Sequence, residues 1–197
     1  MEIENNAVSI IEFVDSLAYA KNVFQSYMLQ DISKKELILV YNSSSDDFEK
    51  WLFLTKMYPM TRIYYLNSCT SLGECLNYCA ERSIFENIAV FNQVGLYDFN
   101  YLQSSLKAMQ TYQIQLIGKR TYYKHDEKEN ADIIVNPGFE GCITDYVILP
   151  SFVMRHNLFD NLRFDDINTD IDIEYCKKCR AKGYGIYSAK SEGLRLY

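Results

Sequence analysis

Apolar residues fall along this chain in two alternating patterns, short continuous runs and stripes at helical spacing. Residues 8–13 (VSIIEF) are β-prone, and 36–41 (ELILVY) are so nearly continuous in apolar character that they predict a buried strand. Between them, 18–29 place Tyr19, Val23, Phe24, Tyr27 and Met28 on one helical face. After the polar cluster Asn42 to Asp47, whose Ser45 or Asp46 can cap a helix, residues up to 56 are helical again around Trp51. Strands are predicted at 62–66, 87–91 and 113–118, with helices at 71–81 and 100–109 between them. Such βα alternation argues an α/β fold with a largely parallel sheet.

The pattern loosens in the second half. Residues 122–132 are charged and read as a hairpin or an exposed excursion. Further strands are expected at 131–135 and 142–149, separated by the turn-forming Asn136-Pro137-Gly138. A last helix runs from about 170 to 181 with Gly183 as its C-cap, followed by a closing strand at 184–187. No repeat, low-complexity tract or linker interrupts 1–197, so one domain is expected, with a regular βα first half and a mixed second half.

Composition narrows the class. A chain of 197 residues suffices for one ordinary domain, and 48% hydrophobic with 23% charged residues excludes wholesale disorder. Lys+Arg 20 against Asp+Glu 26 gives 20 − 26 = −6, which disfavours an electrostatic nucleic-acid binder. No apolar run approaches the ~20 residues of a membrane span. The start carries Glu2 and Glu4 and no basic residue before Ala7, unlike a signal peptide, so a cytoplasmic globular protein is expected.

The six cysteines read as reduced thiols acting as small hydrophobes. Cys176 and Cys179 form a lone CxxC; a zinc site needs a second pair, and His125 and His156 are the only imidazoles. Tyrosine occurs 17 times, with Tyr64-Tyr65 and Tyr122-Tyr123 as doublets whose members should face opposite ways in a strand. An exposed tyrosine cluster suits a sugar platform, and core packing accounts for the same residues.

Ser71-Leu72-Gly73-Glu74 is a capping box: Ser71 accepts from the N–H of Glu74, whose carboxylate reaches back to Ser71. Leu72, Cys75, Leu76, Cys79 and Ala80 then make an apolar stripe. Gly73 permits a close backbone approach, and a helix N-terminus suits a phosphate. A merely well-capped helix is the plainer account.

These residues carry a resemblance. The block from Leu66 to Cys79 (LNSCTSLGECLNYC), followed by Asn87 to Leu102 (NIAVFNQVGLYDFNYL), resembles family 2 glycosyltransferases of the GT-A type, bacterial members for surface polysaccharides in particular. Val8 to Ile11, Asn22 to Gln30, Glu36 to Asn42, Ile117 to Tyr123 and Asp166 to Ser188 follow in the family's order, across nearly the whole chain. The resemblance implies a GT-A, Rossmann-like α/β fold with a mixed sheet. Its first half, about 1–95, would bind the nucleotide, and about 96–197 would face the acceptor. Contacts to a nucleotide-diphosphate sugar are implied at Asn42, Ser71, Gly73, Asn77 and Asn92.

In that family a manganese or magnesium ion, held by an Asp-x-Asp motif after the fourth strand, stabilises the leaving diphosphate. Here the position reads Asn92-Gln93-Val94-Gly95, so no metal ligand set and no cofactor are expected. Glu12 and Asp15, after the first strand, would repel a diphosphate unless neutralised or turned away. The family's base, from a Glu-Asp pair opening a late helix, falls on Asp172, preceded by Ile171 in place of the glutamate. Asp172 in a first helical turn is equally accounted for by the helix dipole.

Two functions stay open. One is a binding or scaffold module, a degenerate domain that partners another transferase or a glycan; there Asp172 would cap its helix or pair with Lys or Arg, and Phe13, Val14 or Val94 would fill the donor pocket. The other is an atypical glycosyltransferase with Asp172 as base and Lys119 and Arg120 in place of the cation.

Overall fold

The structure, a computed structural model, describes residues 6–197; the acidic start bearing Glu2 and Glu4 lies outside the described residues. The first half alternates as its pattern predicts. Strands β1 (Val8–Val14), β2 (Lys35–Tyr41), β3 (Thr61–Tyr65) and β4 (Asn87–Asn92) are joined by helices α1 (Ala20–Leu29), α2 (Phe48–Thr55) and α3 (Leu72–Ala80). β5 (Gly95–Tyr97), α4 (Tyr101–Tyr112), β6 (Leu116–Gly118) and the hairpin β7 (Tyr122–Asp126) and β8 (Ala131–Val135) follow. Then come β9 (Cys142–Thr144), β10 (Val153–Arg155), α5 (His156–Asn161), α6 (Ile171–Ala181), β11 (Ile186–Ser188) and β12 (Leu194–Leu196).

Eight strands form one mixed sheet in the order β3-β2-β1-β4-β10-β6-β11-β9. β3, β2, β1 and β4 are parallel, as βαβ crossovers require. β10 enters antiparallel between β4 and β6, pairing Val153 with Ala89 on one side and Ile117 on the other. A smaller sheet, β5-β12-β7-β8, stands beside it.

Both faces of the central strands β1, β2 and β4 are covered, which is why they are largely apolar. Ile10, Leu39 and Phe91 meet Phe24, Trp51 and Leu106 from α1, α2 and α4. Ile11, Ile38 and Val90 meet Cys75, Leu76, Phe159 and Tyr175 from α3, α5 and α6. Each such buried side chain contributes about 1.5–3 kcal/mol.

The strand expected at 142–149 stops at Thr144, because the chain turns through Tyr146 into a 3-10 turn at Leu149–Ser151. β5, β10, α5 and β12 were not foreseen; each is six residues or shorter, too short for a period to declare itself. All six thiols are free: Cys75, Cys79, Cys176 and Cys179 are buried, Cys142 is half-buried and Cys69 exposed. Burial pushes the Cys176 thiol up to about 12, the behaviour of a packed hydrophobe. Tyr64 packs edge-on against Tyr78 while Tyr65 is exposed, the alternation a strand doublet requires. No described helix is long and apolar enough to cross a membrane.

Candidate functional site

The parallel strands β1, β2 and β4 end side by side at Val14, Tyr41 and Asn92. In open α/β sheets ligands bind in the crevice beyond such carboxyl ends. Asn42 follows directly after Tyr41 and is buried, its Nδ2 donating to the Thr70 carbonyl at 2.8 Å and to Cys75 Sγ at 3.3 Å.

At the end of β4 the backbone turns on itself. Asn92 Oδ1 accepts from the Val94 amide at 2.9 Å, and the Asn92 amide donates to Tyr97 Oη at 3.0 Å. Gln93 points toward β1: its Nε2 donates to Asp15 Oδ1 at 2.6 Å while its Oε1 accepts from the Asp15 amide at 3.3 Å. Asn22 of α1 secures the same turn, with Nδ2 donating to the carbonyls of Gln93 at 2.7 Å and Gly95 at 2.9 Å. Gln93 is the residue whose role the sequence reading missed, having counted it only as a lost ligand.

This donor set does not fit a hard dication. Asn92 and Gln93 offer amide oxygens already accepting from backbone N–H groups, Val94 offers none, and Asp15 alone brings a carboxylate. Among the described residues no group of three His, Cys, Asp or Glu side chains is placed to hold a metal.

Glu12 is turned away from the crevice. In register with Leu39 and Phe91, it lies on the α1/α2/α4 face, 1% exposed, with both carboxyl oxygens lacking a hydrogen-bond partner among the described residues. Desolvation raises its pKa from 4.5 to about 8, so it stays neutral near pH 7. Buried Glu36, by contrast, accepts from Ser9 Oγ, the Ile84 amide and Arg62.

The N-terminus of α3 is closed by the chain itself. Ser71 accepts from the Glu74 amide at 3.2 Å, the expected half of the capping box. The other half is replaced: Glu74 accepts from Asn77, and the Leu72 amide donates to Asn168 Oδ1 at 2.8 Å. The Gly73 amide donates to the Ile167 carbonyl at 3.1 Å, and a Cβ at Gly73 would stand 1.8 Å from the Asp165 carbonyl oxygen. The close approach that glycine permits is thus to backbone 165–167. Asn77 is clamped to Phe164, donating to its carbonyl and accepting from its amide, both at 3.0 Å. The polar groups of Ser71, Gly73 and Asn77 are therefore engaged within the chain.

Asp172 stands in the first turn of α6. Its Oδ2 accepts from Tyr146 Oη at 3.1 Å and from the Leu149 amide at 3.2 Å. Among the described residues it makes no ion pair with Lys or Arg, and it does not serve as the N-cap, which is Asp170. The next residue in the turn, Pro150, accepts from Tyr97 Oη at 2.7 Å, and Tyr97 in turn accepts from the Asn92 amide. One 3-10 turn thereby ties Asp172 to the end of β4. Val14 is packed in the core, Phe13 is half-buried against the opposite face, and Val94 lines an open depression of about 300 Å³ with Tyr19 and Tyr197.

Lys119 and Arg120 are committed elsewhere. Lys119 Nζ donates to the backbone carbonyls of Lys190 and Glu192, and Arg120 pairs with Asp145 and lies 3.7 Å over the Phe139 ring.

Together these features define a mixed α/β, Rossmann-like fold of the GT-A type. No family model matches the sequence, and no curated protein matches it significantly. Among solved structures, residues 1–349 of TarS from S. aureus superpose with TM-score 0.77 at 14% identity, over 96% of this chain and 60% of that one. The same fragment in complex with UDP-GlcNAc gives TM-score 0.76 at 13% identity, over 96% and 58%. The chain spans 36% of a longer TarS structure, with TM-score 0.76 at 14% identity.

Proposed function

We propose that this chain is one family 2 glycosyltransferase-like domain that holds a nucleotide-diphosphate sugar without a divalent cation, as a binding or scaffold module for surface-polysaccharide assembly. The observation that carries this reading is the Gln93–Asp15 clamp, whose two hydrogen bonds engage the residue that the resemblance aligns with the family's metal motif. The TarS fragment carries UDP-GlcNAc in one structure and UDP in another, which supports the ligand class. In this reading Asn42 and Asn92 contact the nucleotide, while Ser71, Gly73 and Asn77 fasten the 164–168 segment over α3. A second transferase or a glycan is the expected partner, in the cytoplasm.

A second reading, an atypical metal-independent transferase, is favoured by one observation: Asp172 is half-buried, hydrogen-bonded to Tyr146 and tied to the end of β4, with no cationic partner among the described residues. Calorimetric titration with UDP and UDP-GlcNAc, with and without manganese, tests the main reading. Binding of equal strength in both conditions is expected. Affinity that rises tenfold or more with manganese overturns it. A transfer assay beside Asp172→Asn decides the second reading, since turnover abolished by that change establishes it.

A further inference from the structure

Behind the small sheet, on the face covered by α4, lies a cavity of about 330 Å³. It is separate from Asp172, whose helix packs on the opposite face of the large sheet. Tyr187 forms one wall, nearly all of it buried, and Tyr112 stacks on it with ring centroids 4.3 Å apart and planes 22° from parallel. Tyr112 stays 51% exposed, so an aromatic ring covered on one side borders the opening.

The polar lining is mixed in sign. Lys119 is 4% exposed and spends two of its three donors on backbone carbonyls of the 190–192 turn. The carboxylates of Asp98 and Glu192 are near enough to act on its ammonium, opposing the effect of burial. Ser104 adds a hydroxyl at the rim. An anionic ligand meets the carboxylates of Asp98 and Glu192 and a cationic ligand meets Lys119 and Lys190, so neither sign of charge is favoured. A neutral ligand rich in hydroxyl groups meets acceptors and a donor, and the C–H face of a sugar ring suits an aromatic surface. The volume lies at the small end of ligand pockets, roughly one or two sugar rings.

We propose that this cavity is a saccharide-binding subsite, independent of the nucleotide crevice, that takes a neutral oligosaccharide stacked on Tyr112. Asp98 and Glu192 accept from its hydroxyls, and Lys119 holds the 190–192 turn in place. The site goes beyond the proposed function and stands without it, because none of its residues belongs to the crevice.

The test is amide chemical-shift mapping of the full chain with maltotetraose, chitotetraose and, as an anionic comparison, tetragalacturonate, each to about 10 mM since isolated sugar sites are weak. One of the neutral sugars is expected to shift amides around Ser104, Tyr112 and Glu192. Tyr112→Ala should weaken that binding about tenfold, and Asp98→Asn by a smaller factor. Ser104→Trp, at an exposed helical position, should abolish it by filling the cavity. UDP affinity should be the same in all three variants, which separates failure here from failure of the nucleotide crevice. No shift at these residues with any neutral sugar, undiminished binding in Tyr112→Ala or Ser104→Trp, or preference for tetragalacturonate overturns the proposal.

Discussion

Gln93 grips Asp15 twice, through the side-chain carboxylate and through the backbone amide, and so fastens the end of β4 to the end of β1. The neutral amide brings no second carboxylate to share in chelation. The expected consequence is that the native chain binds manganese weakly or not at all. Asn92→Asp combined with Val94→Asp restores two carboxylates after β4 and should create manganese binding with a Kd below about 1 mM. Electron paramagnetic resonance titration reads both; tight binding by the unaltered chain would contradict the reading.

Gly73→Ala should be among the most damaging single changes in the chain. Its Cβ would meet a backbone oxygen, Asp165 O, which no rotamer change can move aside. A loss of about 3 kcal/mol is expected in urea unfolding. A loss under about 0.5 kcal/mol would mean that the 164–168 segment does not rest on α3.

Glu12 sets a pH dependence whose sign follows from its raised pKa. Between 4.5 and about 8 the unfolded chain ionises Glu12 while the folded chain retains the proton. The unfolded state then binds fewer protons, so this group lowers stability as pH rises through that window, and its effect is constant above it. Glu12→Gln should remove the slope, leaving the variant more stable than the native chain at pH 8 by a few kcal/mol, with a much smaller difference at pH 5. Thermal unfolding of the pair across pH 5 to 8, a range of about three units, reads the difference directly. Parallel profiles would place a partner on Glu12 that the structure does not.

Asp172 has a structural task whatever its chemistry. Asp172→Asn weakens the acceptor for Tyr146 Oη and the Leu149 amide, and a cost of about 1–2 kcal/mol is expected, with Tyr146→Phe costing about 1 kcal/mol. The double variant should lose less than the sum, because the two share one hydrogen bond. Strict additivity in denaturant unfolding would show that Tyr146 and Asp172 are not coupled.

The βα alternation was legible because β1, β2, β4, α1 and α3 each carry a period or an apolar run long enough to read. β10 was not, since three residues, Val153 to Arg155, owe their strand conformation to the gap between β4 and β6. For Glu12 the sequence leaves two outcomes, a charge facing a diphosphate or a side chain turned away, and the two-residue period that it shares with Val8, Ile10 and Val14 marks the second, a buried face. Gly73 was read correctly as a point of close approach. What approaches it comes from more than ninety residues away, and local spacing carries no information on that. The same holds for Asp172 and Tyr146, whose partnership depends on how the chain leaves β9.

The placement of β10 also bears on how the chain is made. During synthesis β4 is finished at Asn92, and its second neighbour begins at Val153, which is 153 − 92 = 61 residues later. At ribosomal speeds that is an interval of roughly 3–12 s. Throughout it the nascent chain presents Ile88, Ala89 and Val90 along an unpaired apolar edge, the kind of template on which strands of other molecules add. Nascent copies on one polysome are therefore most exposed to one another in this interval, and a chaperone that shields β4 until Val153 emerges would raise the yield of folded protein.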